Sequence, residues 1–234
     1  MENKKISVII PTYNEADCIV PLINEILKIH LPLNIIVVDD NSPDKTGKIV
    51  EEKFKNNPYV HVFIRKGKRG RGLAGIFGYK KAIEIGSDII GEMDGDFSHH
   101  PFYIPEMVKN INGYDVVVGS RYISGGKEER KSLLRKLITK FAHLYIKTLL
   151  GIDLHDPTSG FRFFKREVIE SILPFLSAED PFIVTEVYFY IKKKKFKIKE
   201  IPITFYERRK GKSKLNVRIL VRYLVKVLKL KLLS

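Results

Sequence analysis

What this 234-residue chain lacks narrows it first. It has one cysteine, Cys18, so no disulfide can form within the chain, and a reducing compartment is expected. It has no tryptophan. No run of 18 apolar residues free of charge occurs, so no membrane-spanning helix is expected. The start, Met1 to Lys5, leads directly into a β-branched run with no apolar leader segment. Acidic residues are scarce beside basic ones, 27 against 42, which leaves a net charge of +15 and points to anionic partners. With 44% hydrophobic residues the chain is long and apolar enough to bury a large core.

What is present is an alternation of strands and helices. Ile6 to Ile10, Ile35 to Val38, Val60 to Ile64 and Asp88 to Met93 read as short buried strands. Helices are expected at about 17–29, 45–55 and 74–85. This order predicts an α/β fold with a mainly parallel sheet flanked by helices. Farther on, a helix from Pro101 to about Ile111, a strand at 114–119, a mobile loop at 125–129 and a helix over 131–150 are expected. Helices at about 166–173 and 185–193 and a late strand at 198–205 complete the domain. The tail, 217–234, reads as an amphipathic helix with Arg218, Arg222, Lys226 and Lys229 on a narrow basic stripe, suited to a membrane interface.

Ligands of parallel sheets gather beyond the carboxyl ends of the strands. Three polar clusters fall there: Asn14-Glu15, Asp39-Asp40 and Asp94-Gly95-Asp96. Residues i and i+2 of an extended backbone point the same way, so Asp94 and Asp96 can face one point and hold a divalent cation bearing phosphates. All-oxygen coordination of Mg²⁺ or Mn²⁺ is favoured over zinc, because adjacent His99 and His100 diverge, His100 serving as a cap or packing residue. Gly70-Arg71-Gly72-Leu73-Ala74-Gly75 matches a dinucleotide fingerprint in letters but follows the third strand, not the first. It reads better as a loop along a diphosphate, with charge from Lys68, Arg69 or Arg71, or as a solvated basic loop. Nucleic acid is not an expected partner, since the aromatics sit in apolar runs rather than among the lysines and arginines.

The motifs from Pro11 to Glu15, Val38 to Asp44 and Met93 to Pro101 together resemble family 2 glycosyltransferases of the GT-A, Rossmann-like fold. Those at 119–122, 156–162, 201–205 and 211–215 narrow the resemblance to dolichol-phosphate mannose synthases, over about residues 5–216. The resemblance implies a catalytic domain over 1–216 and inverting transfer of mannose from GDP-mannose to dolichyl or another polyprenyl phosphate. UDP-glucose or another nucleotide sugar is the alternative donor. It implies that Pro11, Tyr13, Glu15, Val38 and Asp40 cradle the nucleoside, with Gly95 close to the sugar nucleotide. Asp94 and Asp96 would hold the metal together with Ser98, which stands where many relatives have Gln and would reach the ion through water. Arg121, Arg135 and Arg208, assisted by Thr139 and Lys214, would grip the acceptor and donor phosphates. Lys212 replaces a usual Glu in the last motif. A peripheral enzyme on the cytoplasmic face of a membrane is expected, with a small membrane-anchoring subunit as a further partner.

Overall fold

A computed structural model describes residues 4–129, 132–207 and 217–232, apart from the side chains of Arg135, Val217, Arg218 and Ile219. Two of the expected site residues, Arg208 and Lys214, and the substituted Lys212, lie outside the described residues, as does the side chain of Arg135.

The chain begins with strand β1 (Ile6–Thr12), helix α1 (Ala16–Leu27), strand β2 (Leu33–Asp39), helix α2 (Thr46–Lys53), strand β3 (Val60–Ile64), helix α3 (Arg71–Glu84) and strand β4 (Ile89–Glu92). A 3-10 turn (Pro101–Tyr103) leads into α4 (Ile104–Asn110), followed by β5 (Val116–Ser120), β6 (Lys127–Glu128), α5 (Leu133–Leu150), β7 (Arg162–Lys165) and α6 (Arg166–Ile172). The remaining elements are α7 (Ile183–Lys193), β8 (Ile198–Pro202), β9 (Thr204–Phe205) and α8 (Val217–Leu232).

Seven strands form one sheet in the order β3-β2-β1-β4-β7-β5-β8. All its pairs are parallel except those of β7, which runs antiparallel between β4 and β5. The β-branched strand runs alternate between two buried faces, as a sheet covered on both sides requires. Ile9, Ile36, Val38, Ile90, Val116 and Phe164 pack on one side with α3, α6 and α7. Val8, Ile10, Ile35, Val37, Val117 and Phe163 pack on the other with α1 and α4.

Three expected elements are corrected, and one strand is added. The region 125–129 is not simply a surface loop: Lys127 and Glu128 pair with Thr204 and Phe205 in a second, two-stranded sheet. The late strand is accordingly two strands, separated at Ile203. The aromatic run at 161–164 contributes an interior strand, with Phe163 and Phe164 wholly buried on opposite faces. Helix α3 starts at Arg71 rather than Ala74, because Gly70 and Gly72 let it approach another segment of the chain. A Cβ on Gly72 would lie 1.9 Å from the Ala178 carbonyl oxygen, and the Gly72 amide donates to the Glu179 carbonyl at 2.9 Å.

Candidate active site

The sheet delivers three loops to one rim. In register, Thr12 lies beside Asp39, so the first and second strands end together, while the fourth ends with Glu92 beside Ile9 and its loop runs on along the same edge. Asp39, wholly buried, braces the first two loops: it accepts from Thr12 Oγ1 at 2.9 Å, from the Ser42 amide at 2.8 Å and from Ser42 Oγ at 2.6 Å. Asp44 does the same from outside, accepting from the amides of Ala16 (3.1 Å) and Thr46 (3.0 Å). Asp40 is thereby left facing the interior of the rim, where it accepts from the Gly70 amide at 2.7 Å and pairs with Arg65.

These loops line a cavity of about 910 Å³. Pro11, Tyr13, Glu15, Asp40, Asp94, Gly95, Asp96, Arg121 and Thr139, all expected site residues, face it. Val38 does not. Its side chain is buried in the core because the alternation of β2 turns it beneath the rim. Ser98 is also outside the lining: its hydroxyl is buried, without a hydrogen-bond partner among the described residues.

Asp94 is about one-third exposed and Asp96 nearly buried, its carboxylate accepting from the Ser98 amide at 3.0 Å. The turn between them and Ser98 places Phe97 at φ 62°, a left-handed conformation uncommon for a bulky residue and held here by burial of its ring. His100 caps the following 3-10 turn, its Nδ1 accepting from the Phe102 amide at 3.3 Å. His99 turns the other way and faces the cavity, stacked on Phe161 with ring centroids 5.2 Å apart. Its Nδ1 is buried without a hydrogen-bond partner among the described residues and lies 3.8 Å from Asp94 Oδ2. Burial pushes its pKa down against the pull of Asp94 and Asp96.

This donor set fits a divalent cation of the Mg²⁺ or Mn²⁺ type. The carboxylates of Asp94 and Asp96 line one cavity wall, with the buried imidazole of His99 beside Asp94. Among the described residues no group of three or more His, Cys, Asp or Glu side chains is placed to hold a metal ion by itself. An ion bound here would take its remaining positions from substrate oxygens, the usual arrangement for Mg²⁺ on phosphates.

Beneath Asp94 lies a charged cluster that sequence reasoning missed. Glu92, fully buried, pairs with Arg162 at 2.8 Å and with Arg71, and accepts from the Tyr79 hydroxyl. Burial opposes its ionisation, yet the two guanidinium groups hold its pKa below the usual carboxylate range. Arg71 reaches from Glu92 to Asp94, its Nη2 donating to Oδ1 at 3.3 Å.

The basic loop is thus more committed than expected. Lys68 pairs with Glu179 at 2.6 Å, and Arg69 lies over the Tyr13 ring at 4.7 Å and bonds its hydroxyl. Arg121 is also engaged: Nε and Nη2 form a fork to Asp156 at 2.6 Å each, and Nη2 donates to Thr158 at 2.9 Å. Against burial, Arg121 keeps the Asp156 carboxyl below its ordinary pKa. Arg121 still faces the cavity, but it is fixed, with Phe205 against its guanidinium plane at 5.0 Å.

The far wall of the cavity is built by helices. Ile138, Thr139 and Ala142 come from α5, Val184 and Thr185 from α7, and Leu220, Arg222 and Tyr223 from α8. Tyr223 shares a 2.5 Å hydrogen bond with Thr185, and Lys226 pairs with Asp180 at 2.6 Å. Two members of the basic stripe on α8 therefore face the cavity or its wall. The outward side of that helix carries Val221, Val225, Leu228 and Leu232 instead, all exposed.

The comparisons agree with this geometry. The family model described as glycosyl transferase family 2 matches residues 7–173. Among curated proteins, the undecaprenyl-phosphate mannosyltransferase of Micrococcus luteus is 35% identical, covering 95% of this chain and 92% of the relative. The polyprenol monophosphomannose synthase of Mycolicibacterium smegmatis is 35% identical over 89% of this chain and 80% of its own length. The dolichol-phosphate mannosyltransferase of Pyrococcus furiosus is 39% identical over 94% of this chain, which spans 62% of that protein. Among solved structures, glucosyl-3-phosphoglycerate synthase from Mycobacterium tuberculosis, in complex with Mn²⁺, UDP and glucosyl-3-phosphoglycerate, superposes with a TM-score of 0.71. At 19% identity, covering 98% of this chain and 79% of that one, it shares the fold. With a family match across most of the sheet and relatives aligned over nearly the whole chain, this protein belongs to glycosyl transferase family 2.

Proposed function

We propose that the protein transfers mannose from GDP-mannose to a polyprenyl phosphate such as dolichyl phosphate, inverting the anomeric carbon. One observation carries the reading: a single cavity runs from the acidic rim to the inner faces of α5 and α8. A nucleotide sugar suits the first end, where Tyr13, Glu15 and Asp40 meet the base and ribose. A lipid phosphate suits the second, where arginine and threonine side chains emerge between apolar helices. The names of the aligned relatives support mannose and a polyprenyl phosphate as the substrate pair.

The chemistry follows from the acceptor. A phosphate monoester has a second pKa near ~6, so it is largely dianionic at neutral pH. Its oxygen can attack the anomeric carbon as the bond to the GDP oxygen breaks, with no proton to remove; no general base is needed. What the reaction needs is cationic side chains that bring one anion to another, and guanidinium forks do this well. Arg121 and Arg222 face the cavity; Arg135, Arg208 and Lys214 complete the proposed set. Asp94 and Asp96, with His99 beside them, would hold Mg²⁺ or Mn²⁺, which when bound neutralises the departing diphosphate.

No helix among the described residues is long and apolar enough to cross a membrane. The outer face of α5 exposes Leu133, Leu134, Leu137, Phe141 and Leu144, beside the outward apolar face of α8. The two helices pack together, Tyr145 Oη donating to the Leu224 carbonyl at 3.2 Å. We assign this face to a lipid surface, making the protein a peripheral enzyme on the cytoplasmic side of its membrane.

The test is a transfer assay offering radiolabelled GDP-mannose and UDP-glucose to short polyprenyl phosphates, with and without Mn²⁺. Labelled lipid is expected from GDP-mannose, in the presence of the metal. Labelled lipid from UDP-glucose alone would replace mannose with glucose in this reading.

A further inference from the structure

The two arginines on Glu92 are not equivalent. Arg162 is fully buried and fully engaged: Nε and Nη2 meet Glu92, Nη1 donates to the Val184 carbonyl at 3.1 Å, and Nη2 also reaches the Tyr79 hydroxyl at 3.1 Å. Arg71 is anchored at one end only. Nη1 is on Glu92, but Nη2 lies at the cavity wall, about one-fifth of the side chain is exposed, and the contact to Asp94 is long at 3.3 Å. Charge-assisted N–H···O bonds of full strength are usually about 2.7–2.9 Å. Gly160 leaves space at this end: a Cβ there would lie 3.0 Å from Arg71 Nη2 and 3.6 Å from Asp94 Oδ1. Arg71 and Arg162 offset Glu92 and Asp94, and Asp96 adds a further negative charge at the same wall. A dication on Asp94 and Asp96 would take over the role of counter-ion from Arg71, and an adjacent diphosphate would give Arg71 a new anionic partner.

We infer that Arg71 is a positioning residue that exchanges partners. Without metal, its Nη2 is the counter-ion of Asp94; when metal and donor diphosphate enter together, Nη2 leaves Asp94 for a diphosphate oxygen while Nη1 stays on Glu92. This inference rests on the reading of the rim as a metal–nucleotide site. Its consequence is thermodynamic: Arg71 competes with metal alone and assists metal with nucleotide, so it strengthens the coupling between the two ligands.

The experiment uses the full chain, with Mn²⁺ and GDP as probes. Free Mn²⁺ is followed by electron paramagnetic resonance, and GDP binding at saturating Mn²⁺ by calorimetry. For Arg71→Gln, Mn²⁺ alone is expected to bind about tenfold tighter than to wild type, and GDP in saturating Mn²⁺ about tenfold weaker, within the usual range of coupling between sites. Arg71→Lys retains a charge on Glu92 but cannot fork between two carboxylates, so it should fold and shift both affinities the same way by less. Folded variants that bind Mn²⁺ alone no tighter than wild type would overturn the exchange and leave Arg71 a structural ion pair. Wild-type protein that binds GDP equally with and without Mn²⁺ would instead overturn the metal–nucleotide reading itself, and the exchange with it.

Discussion

At the scale of single residues, the acidic rim was legible and its support was not. Asp94 and Asp96 stood out because a period of two aims both at one place. Glu92, two residues earlier on the same side, sits inside a strand, and nothing local distinguishes it from a solvated strand-end acid. Its partners Arg71 and Arg162 lie 21 and 70 positions away, so their meeting depends on strand order that periodicity does not encode. His99 was passed over for a related reason: which of two adjacent histidines turns inward is decided by Phe161 and Phe205, which arrive from late in the chain. The buried cluster predicts a specific pH dependence. Glu92→Gln leaves two buried guanidinium groups short of a counter-charge, and breaking such a pair costs about 3–5 kcal/mol near neutral pH. Because the folded-state pKa of Glu92 is depressed, its contribution is complete above the unfolded value of about 4.3 and is lost as pH falls through the folded value. The stability gap between wild type and Glu92→Gln should therefore be flat from pH 7 to about 5, then narrow by up to about 1.4 kcal/mol per unit below about 4.3. Asp156, depressed in the same direction, is present in both proteins and cancels. Urea unfolding between pH 7 and 3 measures the gap; one that stays constant to pH 3 would show that Glu92 carries no such charge.

At the scale of elements, the strands with β-branched runs appeared where the sequence placed them, β3 with the same ends and β4 one residue shorter at each end. The exceptions share a cause. β7 pairs antiparallel with neighbours 70 and 40 or more positions distant, and β6 and β9 are two residues each, below what a pattern can reveal. The apolar residues of α5 are divided: Leu134, Leu137 and Phe141 face outward, whereas Ile138, Tyr145 and Leu149 turn partly inward beside buried Ala142 and Ile146. Spacing defined an apolar helix without saying how much of it the core would cover. In the sequence the glycines at the start of α3 read as part of a loop along a diphosphate or of a solvated basic loop. Gly72 instead seats the helix on the 178–179 segment, which carries Asp180 to the cavity. Gly72→Ala should force these two elements apart at a cost of about 1–3 kcal/mol, as overpacking generally does. In a protein of this size that lowers the melting temperature by roughly 2–12 °C at about 2–4 °C per kcal/mol. Circular dichroism melts test it, and an unchanged melting temperature would mean that the contact is loose.

At the scale of the whole molecule, the net charge of +15 and the two amphipathic helices have one setting in common. The sequence placed a basic stripe at the lipid-facing edge of the tail; the fold turns Arg222 and Lys226 toward the cavity and its wall and leaves the apolar side outermost. On the proposed function, that arrangement would tie lipid binding to catalysis, because α8 carries the exposed apolar face and also lines the cavity. Deleting 217–234 would remove Leu220, Arg222 and Tyr223 from the cavity and take buried Val227 and Leu230 out of the core, so it would not separate the two roles. Substitutions on the outer face do. Val225 and Leu228 are exposed and line no part of the cavity. Each apolar side chain of this size gains about 1.5–3 kcal/mol on leaving water. The double variant Val225→Glu with Leu228→Glu should therefore bind vesicles at least tenfold more weakly, on the low side of that range. It should keep wild-type helix content and the same kcat toward a short, water-soluble polyprenyl phosphate, while KM for a long-chain acceptor presented in vesicles rises. Vesicle sedimentation and the two assays read these separately. Undiminished vesicle binding by the double variant would move the lipid contact off α8, whereas a fall in kcat with the soluble acceptor would mean that the outer face of the helix also holds the cavity wall in place.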